Sequence, residues 1–111
     1  MKITETKEGD VLILSFHGKL TIGVGDVALR DAVRDAVERG DRKIVLDLSD
    51  LSTMDSSGIG ELVSAFTVLN NYGGQLRLLN LPPKVSDILQ ITQLISVFEV
   101  YDDEAEAIAS F

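Results

Sequence analysis

Apolar residues fall along this chain in short continuous runs that alternate with helical stripes. The run Val11-Leu12-Ile13-Leu14-Ser15-Phe16 follows the turn-forming Glu8-Gly9-Asp10, and its β-branched and apolar content predicts a buried strand, with residues 1–6 as its hairpin partner. From Asp26, a good N-cap type, Leu29, Ala32, Val33, Ala36 and Val37 recur at helical spacing, and Gly40 stands where a C-terminal cap belongs. Lys43-Ile44-Val45-Leu46-Asp47-Leu48 is apolar without clean alternation, the pattern of a central strand covered on both faces.

A second amphipathic helix is predicted after Asp55, with Ile59, Leu62, Val63, Phe66 and Leu69 as its apolar stripe and Gly73-Gly74 as its end. Residues 75–79 read as the next strand. Pro82-Pro83 opens a short helix carrying Val85, Ile88 and Leu89, because proline fits a first turn where its missing donor costs nothing. Leu94, Val97, Phe98 and Val100 lead into a last strand. Asp102-Asp103-Glu104 then places acids where the positive end of a final short helix favours them, and residues 105–111 complete it. The order β-β-α-β-α-β-α-β-α predicts an α/β fold: a mixed, mostly parallel sheet of about five strands with about four helices, the hairpin supplying an antiparallel edge.

At 111 residues, 45% apolar and 25% charged, the chain is expected to form one folded domain spanning residues 1–111. A formal charge of −8 repels a phosphate backbone or an anionic membrane surface, so neither nucleic acid nor membrane is an expected partner. The first residues show no basic segment followed by an apolar run, and the chain holds no cysteine, which together point to a cytoplasmic protein without disulfides or thiolate metal sites.

Chemistry is concentrated in Met54-Asp55-Ser56-Ser57-Gly58-Ile59-Gly60-Glu61-Leu62, at the junction of the central strand and the second helix. Glycine in a helix costs about 1 kcal/mol relative to alanine, so Gly58 and Gly60 together call for a benefit of about 2 kcal/mol. One benefit is a bare surface beside Ser56 and Ser57 on which a partner's backbone can lie close. The other is structural: Asp55 caps the helix, the serines form its first turn, and the glycines allow close packing on the sheet. A phosphoryl group on either serine would be tolerated at a helix N-terminus. Beside Asp55 and Glu61, on a surface that must be desolvated, its charge would oppose a partner's approach.

The strand Ile44-Val45-Leu46-Asp47-Leu48 followed by Met54-Asp55-Ser56-Ser57-Gly58-Ile59-Gly60 closely resembles the STAS domain of anti-sigma-factor antagonists. Gly18-Lys19-Leu20 and Gly73-Gly74-Gln75-Leu76 resemble it too, so the likeness covers nearly the whole chain. The resemblance implies a protein that is not an enzyme and needs no cofactor or metal. It implies that the first serine after the aspartate, Ser56, is phosphorylated by an anti-sigma factor that is itself a serine kinase, and that a phosphatase resets it. It further implies partner contacts at Asp55, Ser56, Ser57, Gly58, Gly60 and Glu61. Many phosphorylated members carry an acid shortly after the second strand's glycine, where this chain reads Gly18-Lys19-Leu20-Thr21. An accessory STAS module of a signalling assembly or lipid transporter, with Ser56 never modified, is the alternative.

Two rival sites need separate treatment. Gly23-Val24-Gly25-Asp26-Val27-Ala28 matches a dinucleotide fingerprint, opens a helix and precedes Asp47 by about twenty residues, yet Asp26 would stand where a pyrophosphate approaches. The two glycines also serve a plain turn into the helix. His17 is the only histidine, at a strand end with no evident Ser or Cys partner, and is expected to be structural. On the first helix Asp31, Asp35 and Glu38 alternate with Arg30, Arg34 and Arg39, as on a solvated face.

Overall fold

The computed structural model describes residues 1–111. Its strands are β1 (Lys2–Glu8), β2 (Val11–Leu20), β3 (Lys43–Met54), β4 (Gln75–Leu79) and β5 (Glu99–Tyr101), and its helices are α1 (Gly25–Glu38), α2 (Ser56–Asn71), α3 (Pro83–Ile91) and α4 (Glu104–Ala109). A short 3-10 turn, Leu94–Val97, joins α3 to β5. The five strands lie in the order β1-β2-β3-β4-β5, with β1 antiparallel to β2 and every other pairing parallel. The mixed sheet, its antiparallel edge and the central place of β3 are those the sequence predicts.

The two faces of the sheet are unequally covered. On one, Leu14, Phe16, Leu20, Ile44, Leu46 and Leu48 pack against Leu29 and Val33 of α1, Leu62 and Leu69 of α2, and Val85 and Leu89 of α3. Full burial of each leucine contributes about 1.5–3 kcal/mol, so this layer carries most of the stability. The other face holds the smaller cluster Val11, Ile13, Val45 and Leu79 under Ala107 of α4. Arg77 holds α4 down: its Nε donates to the Ser110 hydroxyl at 2.9 Å and its guanidinium lies 4.7 Å from the Phe111 ring centre.

Three differences from the sequence reading have physical causes. β3 runs on to Met54 rather than stopping near Leu48, because inward residues continue at Leu48, Leu51 and Met54 with a spacing of three. Two bulges each insert one residue against β2, between Ser15/His17 and between Gly18/Lys19, so the two-residue alternation disappears while pairing persists. β2 lengthens with it to Leu20. The last difference is Asp26, which is not the N-cap: α1 starts at Gly25 behind Val24, and the Asp26 carboxylate accepts the N–H groups of Gly23 at 2.8 Å and Val27 at 2.7 Å. A Cβ at Gly25 would come within 2.2 Å of the Lys19 carbonyl oxygen, so the helix begins where a glycine can press onto the end of β2.

Both α1 and α2 therefore begin just beyond the C-terminal ends of parallel strands, the edge at which α/β sheets present their binding sites.

Candidate functional site: the capped start of α2

Asp55 links the two strand ends to α2. Its backbone is extended, its N–H donates to the Leu20 carbonyl at 3.3 Å, and one carboxylate oxygen accepts the Gly58 N–H at 3.0 Å as the predicted helix cap. The other oxygen accepts the Ile22 N–H at 3.0 Å, which ties the β2–α1 loop to the same residue. These bonds, the one from Ile22 first and that from Gly58 next, hold the Asp55 carboxyl below the usual carboxylate range.

The two glycines divide the roles the sequence left open. A Cβ at Gly58 would stand 2.2 Å from the Leu20 carbonyl oxygen and 2.8 Å from the Met54 side chain, so Gly58 is buried and lets α2 settle onto the sheet. Gly60 meets nothing within 4 Å and faces solvent. Close packing explains the first glycine and leaves the second without a structural reason.

Ser56 is the first residue of α2 and is exposed, whereas Ser57 and Asp55 are half-buried. One turn on, Gly60 continues the outward line, followed by Ser64, Thr67 and Asn71, all exposed and none charged. Glu61 does not join that line. Its carboxylate turns toward α1, 16% exposed, and accepts from Arg30 Nε at 3.1 Å and Nη2 at 2.9 Å. Of the six residues implied as partner contacts, then, Ser56 and Gly60 are openly presented, Asp55 and Ser57 flank them, and Gly58 and Glu61 are engaged within the molecule.

Sequence reasoning missed an apolar tip beside this surface. Ile22 is 72% and Val24 62% exposed, with Val27 more than a third exposed behind them, and the Ile22–Asp55 bond fixes the tip next to Ser56. The available signal was two large aliphatic residues in a glycine-bearing loop, outside any strand or helix period.

The rival sites look different in three dimensions. The Gly23 loop lies between β2 and α1, but its Gly23 N–H is already taken by Asp26, which is 8% exposed and occupies the position an anion would need. His17 does have partners: Nε2 lies 3.2 Å from the Thr4 hydroxyl and Nδ1 2.7 Å from Asp50. They belong to β1 and β3, brought together only by strand pairing, and none of the surface cavities includes any of the three. No cluster of three or more His, Asp or Glu is arranged to hold a metal ion, and no helix is long and apolar enough to cross a membrane.

The STAS domain model matches residues 2–107. The anti-sigma F factor antagonist of Paenibacillus polymyxa is 31% identical over 99 residues, which cover 88% of this chain and 84% of that protein. The anti-sigma-B factor antagonist of Bacillus subtilis is 34% identical over 93 residues, 84% of this chain and 83% of that protein. Among solved structures, that of the Thermotoga maritima protein TM1081 superposes with a TM-score of 0.90 at 28% identity, covering 97% of this chain and 92% of its own. Phosphorylated SpoIIAA of Bacillus, at 23% identity, shares the fold with a TM-score of 0.76 over 98% of both chains. With its strand order, its capped Asp55-Ser56-Ser57-Gly58 turn and these matches in agreement, the chain belongs to the STAS domain family.

Proposed function

We propose that this protein is an anti-sigma-factor antagonist that works as a binding switch. Unphosphorylated, it docks on an anti-sigma factor with serine-kinase activity and so frees a sigma factor for transcription. Phosphorylated on Ser56, it lets the kinase go, and a phosphatase restores the docking form. The observation that carries this reading is the exposed Ser56 hydroxyl at the capped start of α2, at one end of an uncharged helix face. The names of the curated relatives support the partner class.

The physical chemistry of the switch lies in the site itself. Ser56 is exposed at the first residue of α2, so a phosphate on it reaches into solvent without displacing the Asp55 cap, and modification leaves the fold intact. The added charge of about −1.5 to −2 lies beside ionised Asp55 on a surface that docking must dry, and both like-charge repulsion and desolvation then oppose the complex. Ile22 and Val24 supply the apolar part of the docking surface, and Gly60 lets the partner approach the α2 backbone. Asp55 and Ser57 line its edge, while Gly58 and Glu61 act from beneath by setting the seat of α2. The residues of this chain provide acceptor and docking surface, and the catalytic groups come from the kinase, in keeping with a non-enzymatic role for residues 1–111 in the cytoplasm.

The test is incubation with the anti-sigma factor and ATP, then mapping of the phosphate. Phosphate on Ser56, lost in Ser56→Ala and retained in Ser57→Ala, is the expected result. Phosphate confined to Ser57 would refute the assignment.

A further inference from the structure

His17 is the only imidazole in the chain, and it stands where three strands are tied together on the face that α1, α2 and α3 do not cover. Thr4 on β1 bonds one ring nitrogen at 3.2 Å and Asp50 on β3 the other at 2.7 Å. Asp50 sits at the bulged end of β3: Ser15 to His17 on β2 matches Asp47 to Asp50, and Gly18 to Lys19 matches Leu51 to Thr53. Bulges bend a strand and re-aim the residues beyond them. Beyond these two bulges lie Met54, the Asp55 cap and Ser56. Two other bonds secure the same stretch, from the Ser52 hydroxyl to the Gly18 carbonyl and from the Ser49 N–H to Asp47, both at 3.1 Å. Only the His17–Asp50 contact among them joins two ionisable side chains.

We propose that His17 is a positioning residue whose protonation, acting through Asp50 and the doubly bulged end of β3, sets how Asp55 and Ser56 are held at the start of α2; the regulatory meaning of this coupling rests on Ser56 being the phosphoacceptor. A neutral imidazole has one N–H to give, to Asp50, and accepts from Thr4 on its other nitrogen. An imidazolium donates from both, so Thr4 must turn to present its hydroxyl oxygen as acceptor, and the Asp50 contact becomes an ion pair. Histidine is the side chain whose ordinary titration crosses the physiological range. Solvent reaches the pair, since α4 covers Val11, Ile13 and Val45 lower on this face and leaves the His17 side chain 36% and that of Asp50 71% exposed. The charged groups flanking it on the neighbouring strands are Lys2, directly across on β1, the Met1 amino group near Gly18, Asp47 on β3 and Lys19 on β2 itself, with Arg77 of β4 further along the same face against α4. From the helix-covered face β2 is backed at this level by apolar Phe16 and Leu20.

Backbone amide shifts of the full chain, recorded between about pH 5.5 and 8, read the coupling without any partner. The Ile22, Ser57 and Gly58 amides should titrate with the midpoint of the His17 ring protons. That titration should disappear in His17→Gln, where any response to the Met1 amine persists, and should be weakened in Asp50→Asn, which keeps a hydrogen-bond acceptor and removes the charge. Titration confined to Thr4, His17 and Asp50, with residues 55–58 flat, would overturn the proposal. With the kinase, the ratio of wild-type to His17→Gln phosphorylation rates should change about two- to fivefold across the same range, as for an exposed ion pair, and a constant ratio would contradict the regulatory coupling. Should the wild type take no phosphate at all, the Ser56 assignment falls, while the amide titration still decides whether His17 positions the site.

Discussion

The two long helices lie side by side on the same face of the sheet, and their solvent sides could hardly differ more. α1 shows water Arg30, Arg34, Asp35 and Glu38, with Arg34 shared between Asp31 at 3.3 Å and Asp35 at 3.7 Å. α2 shows Ser56, Gly60, Ser64, Thr67 and Asn71, and its one charged residue, Glu61, is turned away to Arg30. A helix face meant only for water tolerates charge readily, because charged side chains there stay hydrated. A face meant to be dried by a partner is better without them, since each charge buried unpaired costs several kcal/mol. The contrast is the one expected under the proposed function, with α1 left to solvent and α2, with the Ile22–Val24 tip beside it, taking the partner.

Charge placed on the two helices should therefore have unequal effects. Ser64→Glu, on the exposed line of α2, should weaken anti-sigma-factor binding by about 2–3 kcal/mol, roughly thirty- to a hundredfold, while Glu38→Lys, exposed on α1 and away from the groove between the helices, should change it less than about twofold. Titration calorimetry on the two variants makes the comparison directly. Equal losses would mean that α1 shares the docking surface.

The glycines sharpen it further. Gly58→Ala should destabilise the fold by about 1–3 kcal/mol in urea unfolding, because its Cβ would stand 2.2 Å from the Leu20 carbonyl and α2 must shift to make room. Gly60→Ala should do the reverse and stabilise by about 1 kcal/mol, since nothing lies within 4 Å of the new methyl and alanine is the better helix former. If Gly60 is kept for docking, the stabler variant binds the partner less well. A Gly60→Ala protein that is both stabler and equally tight would remove Gly60 from the interface.

The smallest effect concerns pH. Asp55 is held below the usual carboxylate range in the folded protein, so its contribution to stability is fully present at neutral pH and is lost as the pH falls through the folded value. Asp55→Asn should therefore flatten the acid side of the stability profile while leaving its shape above about pH 5 unchanged. An unchanged acid slope would mean that the Ile22 and Gly58 bonds do not favour the ionised form.

Much of this was legible in the sequence, and most of the remainder shares one cause. The helix stripes, the central apolar strand and the Asp55 cap arise from local periodicity and side-chain chemistry, which is why the order of elements and the place of Ser56 were readable. The extent of β3 was not, because bulges against β2 replace a spacing of two by one of three. Nor was the difference between Gly58 and Gly60, which depends on where Leu20 lies across the fold. Asp26 reads as a cap by residue type, yet the approach of Gly25 to Lys19 moves the helix start one residue ahead of it. His17 reads as alone because Thr4 and Asp50 reach it only through strand pairing. Each of these is a long-range contact with no local signature, whereas the Ile22–Val24 tip carried a local one in its two large aliphatic residues beside Gly23.

The central claim, that α2 docks the partner and that a phosphate on Ser56 prevents it, is tested most directly by the dissociation constant of the anti-sigma factor for the unmodified protein and for protein phosphorylated on Ser56, measured side by side. Ser56→Ala should bind like the unmodified form, and Ser56→Glu should fall between, having one negative charge and two acceptor oxygens against nearly two charges and three oxygens. The account predicts that the phosphate opposes docking by about 3 kcal/mol, a loss of roughly a hundredfold. Equal dissociation constants for the two forms would contradict it.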